Sequence, residues 1–160
     1  MDEGIRLNET SIDFSQLRQL LSNAPCLSIR QPWAELILLK RKKVELRQWS
    51  TRYRGWIWLH TGKSADASAC QLFGMSSLFT GGFVGAFRLR DVVGLDAERW
   101  ELWRPAHLDA GPYQPNFLGW VIDEVMRLQR PVAAPGNRGL YRAEAPTLNL
   151  LLSEQFLGEG

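Results

Sequence analysis

The apolar positions after residue 25 form a short continuous run and then recur with a helical period. Cys26 to Arg30 is a short apolar run of the kind that forms a buried strand. Trp33, Leu36 and Ile37 then recur at three- and four-residue spacing, which places them on one face of a helix. Pro32 fits the start of that helix because its φ is fixed and it has no N–H to leave unpaired. The pattern predicts a strand followed by a helix.

The period changes to two after a basic turn at residues 40–43, which we call the basic turn. The apolar side chains Val44 and Leu46 point to one side of the predicted strand. The other side carries Lys43, Glu45, Arg47 and Trp49. An apolar face opposite a charged face indicates a strand that lies between the core and a polar site.

The rest of the chain alternates between helix-like and strand-like segments. Further helices are expected from a cap at Asp13 through Ser22, from Ser64 to Phe73, over 97–103 after a cap at Asp96, and from Thr147 to Leu157. Further strands are expected at Trp56–Thr61, Phe83–Leu95, Leu118–Leu128 and Leu140–Ala143. Residues 105–117, which contain His107, and residues 131–139 are rich in Pro and Gly and predict loops.

Five or six short strands with unequal helical insertions predict an α+β fold, a small mixed β-barrel with flanking helices. The 160 residues are enough for one domain with a substantial core. We expect a leader and helix over residues 1–24, with 1–11 loosely held, a main domain over 25–145, and a C-terminal helix over 146–160.

Positive charge is concentrated in one segment. Residues 40–54 carry seven Lys and Arg against one acid, Glu45, in a chain whose formal net charge is only +2. The cations are interleaved with Trp49, Tyr53 and nearby Trp56, a composition typical of surfaces that bind phosphates and stack bases. The alternative is that the basic turn is merely solvated and the aromatic residues belong to the core.

Several classes of protein are disfavoured. No apolar run approaches the ~20 residues needed to cross a bilayer, and the first residues are acidic and polar, so we expect a cytoplasmic protein without a membrane partner. Cys26 and Cys70 cannot form a disulfide framework or a zinc site by themselves. Metal-ligand spacings, the dinucleotide fingerprint, the phosphate loop and the serine-hydrolase elbow are missing from the sequence, so no metal and no cofactor are expected.

Three segments carry a family resemblance: SIRQPWAEL, RKKVELRQW and YRGWIWLH. Together they resemble the ASCH domain, the activating signal cointegrator homology domain of the PUA-like superfamily. The segments VGAFRLRDV, LGWVIDEV and PVAAPGNRGLY follow in the expected order, so the resemblance covers roughly residues 25–145. It implies a PUA-like β-barrel with a cleft beside the helix after the first strand, which this superfamily uses for RNA or modified nucleobases.

The resemblance also implies which residues lie in or near the cleft: Gln31, Trp33, Lys42, Glu45, Arg47 and Trp49. Tyr53, Arg54 and Gly55 would form the turn beside it. Lys40, Arg41 and Lys43 are expected to contact RNA phosphates from the basic turn. One base would lie against Trp33 or Trp49, whereas Trp58, between Ile57 and Leu59, is expected in the core.

Three functional interpretations remain open from the sequence. The first is a module that binds single-stranded or modified-base RNA. The second is a hydrolytic enzyme in the same cleft, a ribonuclease or a nucleobase amide hydrolase, with Lys42 as acid or electrostatic stabiliser, Glu45 as base and Arg47 as clamp. The third is a protein-interaction domain that uses the terminal helices, for which the sequence indicates no particular partner.

One hydrolytic mechanism is disfavoured by the sequence itself. Relatives that resemble this domain and deacetylate N4-acetylcytidine use a threonine nucleophile where this chain has Glu45. They use a later glutamate where this chain offers Arg88 and Arg90. An activated hydroxyl needs a neighbouring base, and both halves of that arrangement are replaced here.

Overall fold

The computed structural model describes residues 13–153 and 156–157. Its elements in chain order are α1 (Phe14–Ser22), β1 (Cys26–Ser28), α2 (Trp33–Leu38), β2 (Val44–Arg47), β3 (Gly55–Thr61), α3 (Ala67–Leu72), β4 (Gly82–Gly94), α4 (Ala97–Leu102), α5 (Arg104–His107), β5 (Leu118–Ala133) and α6 (Ala145–Leu151). The predicted leader 1–11 and the distal part of the predicted last helix, 154–155, lie outside the described residues. Among the described helices, none is long and apolar enough to cross a membrane.

The five strands form one curled sheet in the order β1-β3-β4-β5-β2. β1 pairs with β3 in parallel, and the other three pairings are antiparallel. β1 and β2 are therefore the two edges of a half-barrel, although they lie close together in sequence. This is the α+β architecture that the sequence predicts, with five strands and six flanking helices in the described part of the chain.

The sheet buries apolar side chains on both of its faces. One cluster lies beneath α1 and α6 and contains Leu17, Leu21, Cys26, Trp56, Trp58, Phe83, Leu128 and Leu151. The other lies inside the curl beneath α2 and contains Leu27, Ile29, Ile37, Ile57, Leu59, Phe87, Trp120 and Ile122. Because both faces of β3 are covered, every residue from Trp56 to Thr61 is buried, as its two apolar faces predict.

Side-chain caps define the starts of several helices. Asp13 accepts a hydrogen bond from the Ser15 N–H at 3.1 Å, and Asp96 accepts one from the Arg99 N–H at 2.8 Å. Both caps are confirmed. The third helix begins later than expected, at Ala67, because Asp66 rather than Ser64 caps it through the Ala69 N–H.

Two proline residues lie in regular structure, where the sequence predicts loops. Pro105 does not close α4 but lies in the first turn of α5, where its missing N–H leaves no helical hydrogen bond unmade. His107 therefore lies in a short helix rather than a loop. Pro131 lies within β5, at a place where the register against β4 shifts between Phe83 and Gly85. A proline is tolerated there because the bulge requires no ladder hydrogen bond from it.

The described C-terminal part of the chain is less regular than the sequence predicts. The expected strand Leu140–Ala143 is reduced to one bridge, in which the Tyr141 and Cys26 backbones exchange two hydrogen bonds. The last described helix begins at Ala145 and ends at Leu151 rather than running from Thr147 to Leu157. Its N-terminal Pro146 has the preset φ that favours a first helical turn.

Candidate functional site

The charged face of β2 turns toward the concave side of the sheet. Glu45 is paired with Trp120, and Arg47 with Leu118. Residues directly opposite each other in an antiparallel pair have side chains on the same face. Glu45 and Arg47 therefore stand on the side of the inner core cluster, at the open edge of the half-barrel. The sequence correctly separates this face from that of Val44.

Lys42 is the most deeply buried cation of this edge. Only 4% of it is exposed, and its Nζ donates a hydrogen bond to the His107 carbonyl at 2.8 Å. The same Nζ lies 3.5 Å from Glu45 Oε1 and 5.1 Å from the centroid of the Trp33 ring. Burial lowers the pKa of Lys42, and the Glu45 carboxylate opposes this shift. The ammonium group is thus held by a carbonyl, a carboxylate and an aromatic face.

Glu45 connects Lys42 to Arg47. Its Oε2 accepts a hydrogen bond from Arg47 Nε at 2.9 Å, while its Oε1 faces Lys42. Arg47 Nη2 donates to the Ser28 carbonyl at 2.9 Å. We call Lys42, Glu45 and Arg47 the cationic cluster, because two positive groups share one carboxylate.

The Arg47 to Ser28 contact joins the two edge strands of the sheet. β1 and β2 have no backbone pairing with each other, so a guanidinium group spans their gap in place of a hydrogen-bond ladder. The Arg47 side chain remains 22% exposed, whereas that of Glu45 is 9% exposed. The outer part of the cationic cluster is therefore open to a ligand, and its inner part is not.

The residues expected beside the cluster differ in their roles. Trp33 contacts Lys42 and packs edge-on against Phe73, with ring centroids 5.7 Å apart. Gln31 is buried: its Nε2 donates to the Phe79 carbonyl and its Oε1 accepts from the Glu35 N–H. Gln31 thus anchors the start of α2, while Trp33 belongs to the surface of the cluster.

Trp49 lies just beyond β2 and is half-buried. Its ring packs edge-on against Trp120 at a centroid distance of 4.9 Å, and its carbonyl accepts from Trp120 Nε1 at 3.2 Å. Trp49 therefore supports the inner core as well as presenting a part-exposed ring. Trp58 is completely buried, as predicted, and its Nε1 donates to the Leu21 carbonyl.

The basic turn projects three of its four cations outward. Lys40, Arg41 and Lys43 are exposed, and Lys40 has a positive φ of 64° that reverses the chain. The Arg41 guanidinium lies 5.5 Å from the centroid of the Phe73 ring. Since Phe73 also packs on Trp33, the turn and the cationic cluster border the same aromatic patch.

A cavity of about 620 Å³ lies between the basic turn and β5. Lys40, Lys42 and Lys43 line one part of it, and Asp123 and Glu124 line another. Both acids pair with the Arg88 guanidinium, at 2.8 and 3.2 Å. The cavity thus offers hydrogen-bond donors and carboxylate acceptors to one ligand.

Tyr53 and Arg54 are not brought to the cationic cluster by any described contact. The Tyr53 hydroxyl donates to the Trp56 carbonyl at 2.6 Å, and Arg54 donates to the carbonyls of its own turn. Arg54 also lies 3.4 Å from Asp91. Gly55 permits this turn because its φ is 124°.

His60 is enclosed beneath the segment 134–141. Its Nε2 lies 2.9 Å from the Ala134 carbonyl and therefore donates, so Nδ1 accepts from the Ser28 hydroxyl at 2.8 Å. A Cβ on Gly136 would lie 2.5 Å from the His60 ring, which shows how closely this segment covers it. Burial lowers the pKa of His60. The geometry gives His60 the role of an anchor for that segment.

Three partners of the site have no signal in the sequence pattern. The His107 and Ser28 carbonyls, which hold Lys42 and Arg47, are backbone groups that any residue could supply. His107 is 65 positions from Lys42 in the chain. Phe73 follows directly after α3, and its contacts with Trp33 and Arg41 cross between separate segments of the chain.

The architecture defines an α+β half-barrel with a buried Lys–Glu–Arg cluster at its open edge. A family model for the ASCH domain matches residues 27–145, and the chain belongs to that family. The match falls inside the range 25–145 that the sequence motifs indicate.

Individual relatives match smaller parts of the chain. Activating signal cointegrator 1 of Mus musculus is 33% identical over 64 residues, which are 39% of this chain and 11% of that protein. The Homo sapiens protein of the same name is 50% identical over 34 residues, 21% of this chain and 6% of that protein. The chain therefore spans about a tenth or less of the length of these relatives.

Solved structures share the fold at low sequence identity. The ASCH protein of Zymomonas mobilis superposes with a TM-score of 0.58 at 14% identity, covering 82% of this chain and 94% of that one. A point-mutant form of the same protein gives 0.59 at 12% identity, covering 81% and 96%. These superpositions establish the half-barrel architecture.

Proposed function

We propose that this protein binds single-stranded or modified-base RNA at the open edge of the half-barrel. The observation that carries the proposal is that the exposed Arg41 and the part-exposed Trp33 pack on the same Phe73 ring, while Trp33 also contacts Lys42 of the cationic cluster. Phosphates are held by exposed Lys and Arg, and unpaired bases stack on aromatic rings. Membership in the ASCH domain family supports the same interpretation.

The cavity beside the basic turn suits a nucleobase and its phosphate together. Lys40 and Lys43 supply cations, while Asp123 and Glu124 supply carboxylates on another part of the wall. Carboxylates accept hydrogen bonds from exocyclic amino groups of bases, as in contacts to cytosine N4. A volume of about 620 Å³ lies within the range of small-ligand sites.

The salt dependence of RNA binding tests the proposal. A labelled single-stranded RNA is titrated at several salt concentrations against wild type and against Lys40→Ala/Arg41→Ala. Each lost phosphate contact reduces the slope of log K against log salt by roughly 0.7, so the double variant should lose roughly 1.4.

Lys63→Ala/Arg130→Ala is the matched control, because it removes two exposed cations from other parts of the surface. The proposal expects the control to keep the wild-type slope. Equal slopes in all three proteins would show that the basic turn is only solvated.

One observation favours a hydrolase as the second candidate. Burial lowers the pKa of Lys42, which is the direction that makes a lysine a better acid–base catalyst. Lys42 also lines the cavity, next to a carboxylate 3.5 Å away. In this alternative Lys42 transfers protons or stabilises charge, Glu45 acts as base and Arg47 clamps a phosphate or oxyanion.

Turnover assays on RNA and on acylated nucleosides distinguish the two candidates. The binding proposal expects no turnover by wild type. Turnover that is lost in both Lys42→Met and Glu45→Gln, while RNA affinity persists, would establish the hydrolase instead.

A further inference from the structure

A second basic groove adjoins the candidate site, beside α4 and α5. It is a cavity of about 420 Å³ whose cations come from three elements: Lys43 before β2, Arg90 in β4 and Arg99 in α4. Its apolar lining includes Val44 and Trp103. We call it the second groove; of its three cations, only Lys43 is among the RNA-binding residues that the sequence predicts.

The charges of the second groove are not neutralised by any carboxylate among the described residues. Within residues 13–153 and 156–157, Lys43, Arg90 and Arg99 make no ion pair with a carboxylate. The one acid in its lining, Asp91, lies 3.4 Å from Arg54 and also accepts from the Val92 N–H at 2.8 Å. Three cations thus line a cavity that has one carboxylate in its wall, and this excess of positive charge attracts an anion.

The Arg99 guanidinium is presented in an orientation suited to phosphate. It lies 5.5 Å from the centroid of the Trp103 ring, and Nη1 makes a long contact of 3.4 Å to the Gly94 carbonyl. A guanidinium over an aromatic ring keeps donor groups free at its edge, and arginine binds phosphate through two parallel hydrogen bonds. Trp103 is half-buried, so its ring is part of the groove surface.

The second groove borders the cavity at the basic turn. Lys43 and Ile122 line both cavities. A polyanion that leaves the first cavity past Lys43 therefore meets Arg90 and Arg99 next. Successive cations along one path are typical of a surface that follows a nucleic-acid backbone.

We propose that the second groove holds the backbone phosphates of the RNA strand next to the nucleotide bound at the open edge. This inference rests on the proposed function, since it extends the same RNA path. The groove gives affinity that depends on the length of the RNA and not on the identity of its bases.

The test compares Arg90→Ala/Arg99→Ala with wild type on two single-stranded RNAs, a tetranucleotide and a dodecanucleotide. Both arginines are exposed, so the variant should fold, which circular dichroism checks. We expect the dodecanucleotide to bind on the order of tenfold or more weakly, because two charge-assisted contacts are lost. Its salt slope should fall by roughly 1.4, while the tetranucleotide keeps its affinity.

Two controls separate this inference from the proposed function. Lys63→Ala/Arg130→Ala, with the same change in charge, should leave both affinities unchanged. If wild type binds RNA and the Arg90/Arg99 variant binds the dodecanucleotide equally well, the second groove is not on the RNA path and the proposed function stands. If wild type binds neither RNA, the proposed function fails and the inference fails with it.

An acidic peptide provides the last arm of the experiment. Binding of polyglutamate that depends on Arg90 and Arg99, with RNA binding independent of both, would overturn the inference in favour of an acidic protein segment. Weak polyglutamate binding with the RNA effects given above supports it.

Discussion

Replacing Glu45 with Gln removes the single negative charge that Lys42 and Arg47 share. Oε1 lies 3.5 Å from the Lys42 ammonium and Oε2 lies 2.9 Å from Arg47 Nε. Glutamine keeps the shape of the side chain and one acceptor oxygen. The variant therefore isolates the electrostatic part of the cationic cluster.

The magnitude of the effect follows from the burial of the cluster. A charge-assisted hydrogen bond contributes about 1.5–3 kcal/mol, and removing one partner of a buried pair costs about 3–5 kcal/mol. Here Lys42 keeps the His107 carbonyl, and Arg47 keeps the Ser28 carbonyl and is 22% exposed. We therefore expect Glu45→Gln to lower the free energy of unfolding by about 2–3 kcal/mol at neutral pH.

The same change should alter how stability depends on pH. Glu45 opposes the lowering of the Lys42 pKa by burial, so its loss lowers that pKa further. When the pKa of a lysine is lower in the folded protein than in the unfolded chain, folding is favoured most at a pH above the unfolded-state pKa. This stability is lost as the pH falls from the unfolded-state pKa to the folded-state pKa. The deficit of the variant should therefore shrink as pH rises toward about 10.

Urea unfolding, followed by tryptophan fluorescence, measures both effects. Glu124→Gln is the matched control, because Glu124 also pairs with an arginine but 42% of its side chain is exposed. An exposed pair is worth only about 0–1 kcal/mol, so the control should change little at any pH. Equal losses in the two variants, or a Glu45→Gln deficit that stays constant with pH, would refute the reasoning.

Two further predictions concern the tryptophan and histidine residues. Trp58→Ala should cost about 3–5 kcal/mol of unfolding free energy, because Trp58 is fully buried. Trp49→Ala should lower the free energy of unfolding by about 1 kcal/mol, because its contact with Trp120 is lost, and should weaken RNA binding by about 1–3 kcal/mol. Unfolding curves measure the first effect and RNA titrations the second. Equal melting of the Trp58 and Trp49 variants would contradict the assignment. Burial lowers the pKa of His60 and His107, so the unfolded chain binds more protons than the folded protein as pH falls below about 6.5. The free energy of unfolding should therefore decrease as the pH is lowered. The unfolding free energy should change by at most about 1.4 kcal/mol per pH unit for each histidine, and His60→Gln should remove the contribution of His60. An unchanged slope of stability against pH in this variant would rule out this role for His60.

Much of the fold could be predicted because its local signals agree with each other. The helical spacing of Trp33, Leu36 and Ile37 and the alternation around Glu45 appear in the structure as α2 and β2. The Asp13 cap accepts a hydrogen bond from a residue only two positions away, so the sequence alone is enough to predict it. These elements depend on neighbours in the chain.

The errors fall where the deciding contact is distant in sequence. Pro131 is accommodated in β5 by a bulge whose register depends on Phe83. The family resemblance implies a place for Lys42 near the cleft, but its buried ammonium group is held by the distant His107 carbonyl. No periodicity within either segment carries such information.

The measurement that tests the central claim most directly is the NMR response of side-chain N–H groups to single-stranded RNA. The account predicts saturable shifts of the Trp33 and Trp49 indole N–H and of Arg47 Nε–H, at the open edge of the half-barrel. The indole N–H of Trp58 and Trp100, in the buried core, should move little. Shifts confined to α1 and α6, with the Arg47 and Trp33 signals unmoved, would contradict the claim that RNA binds at the open edge.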